Sequence, residues 1–325
     1  MSIHPALAIQ GNAVLIGADV SITLSESHLR ERIQALNPNA ELILKMRSRQ
    51  EIEAALRALD DTNRAILTDL WIRTLSYTAT IETHHQTWLN DMQHNQTMVQ
   101  GSYTEHPGKV IPFINIPLAA SSAIYTRQVS QLKRKVLSEW ANQSLNWAAW
   151  LSVDDAHSDA VIAFLKTLKP TEANAIAIEL IEQGLMNEFE DNHAISILLS
   201  KHYSQDLFAH FLKSPPDEFT YQYLQKLPLK SEHYEAVEQL AQAIEQPKLS
   251  SQALLSLATH YSDDELAQAL ILSALDNKKH QLHAVAALER VKNEAFRRAL
   301  QERYNRDNSP FAKLAIKQLQ KAALK

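Results

Sequence analysis

In the second half of the chain the apolar positions recur with a period of 31 residues. Ala253, Ala284 and Ala315 fall at that interval, and so do Leu257, Leu288 and Leu319. A fixed period of this length means stacked supersecondary units, each too small to bury its apolar face alone. Within the units the apolar residues step by three and four, and breakers fall between the runs at Pro170, Pro215-Pro216, Pro228 and Pro247. Helices are expected at about 157–168, 171–185, 191–202, 204–213, 217–227, 231–245, 249–261, 263–275, 279–291, 293–305 and 309–323, as five pairs and a terminal helix. Ser262-Asp263-Asp264-Glu265 reads as a capping box opening one of them. Ser204 and Asn293 hold matching cap positions in other units. His202-Tyr203 and His260-Tyr261 recur near the period, which suits a structural role better than a catalytic one.

Before residue 153 the period stops. Val14, Ile16, Ala18, Val20, Ile22 and Leu24 alternate, which predicts a strand or a small hairpin turning near Gly17. Ser25 can cap a helix over 26–36, ended by Asn37-Pro38-Asn39, and a second helix is expected over 48–59. Leu67, Trp71, Thr74, Thr78, Ile81, His85, Trp88 and Met92 step by four and three, predicting one long helix over 63–92. Leu118, Ser122, Tyr125, Val129, Leu132, Val136, Trp140, Trp147 and Leu151 continue the rhythm over 118–151, so a long antiparallel hairpin is expected. Residues 93–117, broken by Gly101, Pro107, Gly108, Pro112 and Pro117, read as a long loop inserted between the helices, of the kind that is usually functional or mobile.

The expected fold is therefore all-α, with residues 1–152 a helical region carrying a small β element and the long hairpin, and residues 153–325 an α-α solenoid. The segment Asp307-Asn308-Ser309-Pro310-Phe311-Ala312-Lys313-Leu314-Ala315-Ile316-Lys317-Gln318-Leu319 resembles the second-helix consensus of HEAT repeats, with Lys313 where that consensus usually has Arg. His283-Ala284-Val285-Ala286-Ala287-Leu288 matches more loosely. The resemblance covers about a third of the chain well. It implies an armadillo-type helical scaffold that presents an extended face to a partner.

Composition narrows the chemistry. Only five glycines are present and none follows Gly184, so no phosphate-cradling glycine loop exists. Cysteine is absent, which removes thiol catalysis, disulfides and Cys-bearing zinc sites. No apolar run is long enough for a membrane span. The first residues lack a basic and apolar leader, which predicts a cytoplasmic protein, or a periplasmic one whose signal peptide has been removed. Charge is uneven: residues 1–152 carry 13 basic and 13 acidic side chains, residues 153–277 carry 7 and 20, and residues 278–325 carry 12 and 4.

Three readings of function follow. The first is a non-catalytic scaffold without cofactor or metal, binding a protein or peptide through the solenoid face and the 93–117 insert. Val110, Ile111, Phe113, Ile114, Trp88 and Trp147 are its candidate contacts, since buried aromatic anchors carry most interface energy. The five tryptophans, all between Trp71 and Trp150, can equally be the core between two long helices. The second reading is nucleic-acid binding through Lys292, Arg297, Arg298 and Arg303 in the basic last repeats. The adjoining net charge of −13 in residues 153–277 opposes a duplex running along the arch. The third is a metal-dependent enzyme using Glu82, His84 and His85. Glu82-x-x-His85 has the spacing of carboxylate-bridged di-metal bundles, but helix 118–151 offers only Glu139 and no second such pair.

Overall fold

The computed structural model describes residues 21–102, 110–230, 232–307 and 309–323. The contacts divide the chain into two compact units, 1–141 and 142–325. Both are predominantly helical, and one three-stranded sheet is the exception.

In the first unit, β1 (Ser21–Ser25) leads into α1 (Glu26–Leu36), whose N-terminus Ser25 caps by accepting from the His28 N–H. The earlier part of the alternating stretch, including the turn expected at Gly17, lies outside the described residues. Asn37 and Pro38 do end α1, but the chain continues as a 3-10 stretch, Asn37–Lys45. Then come α2 (Arg49–Arg57), α3 (Asp61–Tyr77), α4 (Thr83–Met92), β2 (Met98–Ser102), β3 (Val110–Asn115) and α5 (Ile116–Ala141).

The long helix expected over 63–92 is two helices, α3 and α4. Thr78 is extended, and the hydroxyls of Thr74 and Thr78 donate to the carbonyls four residues earlier, competing with the helix ladder. Arg127 of α5, itself buried, donates to the carbonyls of Leu75 (2.8 Å) and Thr78 (2.5 Å), which are the acceptors that a helix end leaves open. The helix expected over 118–151 also breaks. It stops at Ala141, Gln143 takes a left-handed backbone (φ 54°), and Asn146 caps a new short helix in the second unit. The hairpin therefore shrinks to α3 and α4 packed on α5.

Within the 93–117 insert, Met98–Ser102 and Val110–Asn115 form β2 and β3, antiparallel, with β1 added parallel to β2 on the other side. Val99 pairs with Ile114 on the core face, and the register then slips so that Gln100 faces Pro112 and Phe113 has no opposite number. Pro112 is tolerated because β3 is the outer strand of the described sheet. The sheet packs on α3 and α5 around a core that includes Ile66, Trp71, Leu75, Trp88 and Val99.

The second unit starts with α6 (Trp147–Leu151) and α7 (Asp155–Leu165). Its other helices are α8 (Pro170–Glu182), α9 (His193–Lys201), α10 (Gln205–Lys213), α11 (Glu218–Lys230), α12 (His233–Ile244), α13 (Ser250–His260), α14 (Glu265–Asp276), α15 (Gln281–Ala287), α16 (Glu294–Asn305) and α17 (Pro310–Ala322). The unit begins about ten residues before the expected boundary at 152, because α6 packs on α7 and on the 3-10 turn Leu185–Glu188. Helix α11 also runs through Pro228, two residues from its end, where the expected stop at 227 gives way to three further residues.

Every second helix belongs to one row. Helix α7 packs on α9, α9 on α11, α11 on α13, α13 on α15 and α15 on α17. The even-numbered helices pack on members of this row, and of the even-numbered helices only α12 and α14 touch each other closely. Polar links tie neighbouring units at about one period. His233 Nε2 donates to Asp264, 31 residues on (2.9 Å), and Ser250 is hydrogen-bonded to His283, 33 residues on (2.6 Å).

Ser262 corrects its expected role. Asp264 caps α14 by accepting from the Ala267 N–H (2.8 Å). The buried Ser262 hydroxyl oxygen instead accepts from the backbone N–H groups of Lys292 (3.2 Å) and Asn293 (3.1 Å), 30 and 31 residues on. Ser204 and Asn293 do cap their helices, α10 and α16.

Candidate functional site

The expected contact residues scatter, and the core claims several. Trp88 and Trp147 are each 1% exposed and Ile114 is 4% exposed, so as folded these three offer a partner no surface. Trp71 and Trp88 pair edge-to-face at 6.3 Å inside the first unit. Trp147 packs with Phe164 (6.3 Å) and Trp150 with His157 (5.2 Å) in the second. The tryptophans therefore form no single groove and no single core. Val110 and Ile111 stand in β3 opposite Ser102 and Gly101. Phe113, half-buried, lines a cleft of about 430 Å³ between α3 and α5, beside Tyr77 (84% exposed) and Leu118 (66% exposed).

The Glu82 and His85 pair is a fastening. Glu82 occupies the N-cap position of α4. His85 Nε2 donates to the Ile43 carbonyl (2.8 Å), and His84 Nε2 donates to that of Met46 (2.9 Å), pinning the end of the 3-10 stretch. Burial pushes the His85 imidazole below its ordinary range, against the Ile43 carbonyl, which favours the charged form. Among the described residues no group of three His, Cys, Asp or Glu side chains is placed to hold a metal ion.

The basic C-terminal candidates are partly engaged. Arg298 pairs with Glu294 on its own helix, and Arg303 pairs with Asp276 and lies over the Tyr304 ring. Lys292 is exposed and Arg297 half-buried. The three arginines ride on α16, outside the row of odd-numbered helices.

A different place assembles chemistry. A cleft of about 580 Å³ runs between α9 and α11. From α9 come His193, Ser196, Ser200 and Lys201, and from α11 come Phe219, Gln222 and Lys226. Spacings of three, four and seven put each set on one helical face. Lys166, just past the end of α7, completes the lining.

One end of the cleft is aromatic. The His193 and Phe219 rings lie parallel, 4.1 Å apart and 5° from coplanar. Burial and the Lys166 charge hold the His193 imidazole below its usual range, against an opposing pull from Asp191, Asp159 and Asp217. Tyr223 contributes ring only, because its hydroxyl donates to Gln239 (2.6 Å) in the interior, and burial keeps that phenol neutral. The charged side chains of the lining are all cationic: Lys166, Lys201 and Lys226. Lys201 Nζ donates to the Leu168 carbonyl (2.7 Å), which fixes the ammonium and leaves two of its N–H groups free to donate elsewhere. Ser196 and Ser200 give their hydroxyl protons to the carbonyls of His193 and Ile197. No carboxylate lines the cleft.

Nothing in the sequence period pointed here. Lys166, Lys201 and Lys226 are separated by 35 and 25 residues, so they miss the 31-residue register. The one available signal was scarcity: they are three of only seven basic residues between 153 and 277.

Compared with protein-family models, with curated proteins and with solved structures, the chain shows no significant match. No helix among the described residues is long and apolar enough to cross a membrane.

Proposed function

We propose that the protein is a non-catalytic binding scaffold in which residues 142–325 form a HEAT-like solenoid and the row of odd-numbered helices takes up a segment of a protein partner. The observation that carries this reading is the unbroken packing of α7, α9, α11, α13, α15 and α17, against sparse contact between the even-numbered helices. In stacked helical pairs the row with closer neighbours lies inside the curve, and the inside of the curve is the surface such proteins use. The cleft between α9 and α11 opens on this row. Its chemistry suits binding: Ser196 donates to a backbone carbonyl and no base is hydrogen-bonded to it as an activated nucleophile requires. The cleft in the first unit, beside Phe113, is a second apolar surface that replaces the exposed insert in this account.

A photo-crosslinking amino acid at Gln222, on the odd row, and another at Glu302, on α16, test the reading in the native cell. A discrete protein adduct from position 222, absent from position 302, is expected. No protein adduct at position 222, or one formed only at 302, sinks it.

A further inference from the structure

We infer that the cleft between α9 and α11 is a recognition site for one phosphorylated residue of the partner segment, with Lys166, Lys201 and Lys226 holding the phosphate. This rests on the scaffold reading and says what the scaffold selects. Three consecutive helices of the odd row, α7, α9 and α11, each deliver one ammonium to the same cleft. None of the three forms an ion pair with a described carboxylate. Residues 153–277 hold twenty acids and seven bases, yet three of those bases and none of the acids line this space. Like charges brought together without a counter-charge repel, and a bound anion reverses the sign of that interaction.

A cation at a helix C-terminus is favoured by the helix dipole, which accounts for Lys166 and Lys201 taken singly. It does not account for Lys226, which lies four residues short of the end of α11. A phosphate monoester carries a charge of about −1.5 to −2 at neutral pH and three acceptor oxygens, which matches donors of this number and sign. The stacked His193 and Phe219 rings, beside Lys166, give a flat apolar shelf for a neighbouring side chain of the same segment. A nucleic-acid backbone fits less well. Asp159, Asp191 and Asp217 lie around His193 without lining the cleft, so an extended polyanion meets more negative charge than a single compact dianion does.

The test titrates the full-length protein with three fluorescent probes: a degenerate phosphoserine nonapeptide library, the same library unphosphorylated, and an oligothymidylate. Free phosphoserine serves as competitor. The phosphorylated library is expected to bind at least about tenfold more tightly than either other probe. Lys166→Met with Lys226→Met should cost about tenfold or more, while Lys248→Met, elsewhere on the same unit, changes nothing. Both cleft lysines are exposed, and the substitution keeps most of the apolar stem, so the fold is retained. Equal binding of the two libraries, or indifference to the double substitution, overturns the phosphate assignment. A protein adduct at position 222 would then leave the scaffold reading standing. Tighter binding of the oligothymidylate overturns the assignment in favour of nucleic acid. Competition by free phosphoserine at the affinity of the library overturns the peptide partner itself and leaves a small phosphomonoester site.

Discussion

Residues 21–141 and residues 142–323 are both mostly helix, yet the first carries fastenings that reach farther along the chain than those of the second. In the first unit the fastenings are individual. Trp71 donates to the Asn39 carbonyl 32 residues back, His84 and His85 reach 38 and 42 residues back, and Arg127 reaches 52. Together they close one core around Trp71 and Trp88. In the second unit the fastenings mostly span 23 to 33 residues: Asn192 to Pro215 and Thr220, Lys201 to Leu168, Ser262 to Asn293, His233 to Asp264. A closed core responds to damage as a whole. A stack of units responds locally, because each unit's stability depends on itself and its neighbours.

The comparison breaks most readily through the two cores. Trp71→Ala and Phe208→Ala each empty a fully buried aromatic site, and each should cost about 3–5 kcal/mol. Hydrogen exchange should separate them. Trp71→Ala should raise exchange through α1 to α5 and the sheet, whereas Phe208→Ala should raise it in α9 to α12 and leave α15 to α17 protected. Uniform loss over the second unit would show that it too is one cooperative body.

The next effect in size is Ser262→Ala. It leaves two backbone N–H groups without the oxygen they now share, at about 1–3 kcal/mol, and the added exchange should stay within α13 to α16. Exchange spreading into α7 would contradict nearest-neighbour coupling.

A smaller, pH-dependent effect belongs to His85. The folded imidazole titrates below its ordinary value of 6.5, chiefly because it is buried. As pH falls through that value the unfolded chain binds a proton that the folded chain refuses, so this contribution is complete above it and lost below it. His85→Gln keeps an N–H for Ile43 and does not titrate. The stability advantage of the wild type over His85→Gln should therefore shrink between pH 7.5 and 5, with each unit of displacement worth about 1.4 kcal/mol. Chemical denaturation at several pH values measures it, and a constant difference would assign the titration elsewhere. Smallest is Arg298→Ala, which removes an exposed pair with Glu294 one turn away and should change stability by less than about 0.5 kcal/mol.

Legibility followed the same division. In the second unit the expected helices match the observed ones to within about three residues, because each is set by local signals: a cap, a helical period, a proline. Even the misplaced cap at Ser262 lay within two residues of the true one, Asp264. The first unit was misread where a distant group settled the outcome. A four-and-three rhythm runs through residues 63–92 and 118–151, but rhythm alone is blind to Arg127 claiming the carbonyls of Leu75 and Thr78. The threonines at 74, 78, 80 and 83 and the run Asn142-Gln143-Ser144 were the local hints that both helices stop. The insert was read as a loop because Pro112 breaks a strand unless the strand lies at an edge, and the edge is fixed only when the sheet is assembled.

The sequence by itself determined the helical class, the 31-residue spacing of Ala253, Ala284 and Ala315, the lack of phosphate-loop and thiol chemistry and the uneven charge, since these depend on composition and on spacings along the chain. Only the tertiary structure decided where the units divide, that Trp88, Trp147 and Ile114 are closed to a partner, and that Lys166, Lys201 and Lys226 share one cleft. The reason is geometric. A helix spreads its side chains over all directions, so which face meets a neighbour and which meets solvent is fixed only when the next helix is laid against it.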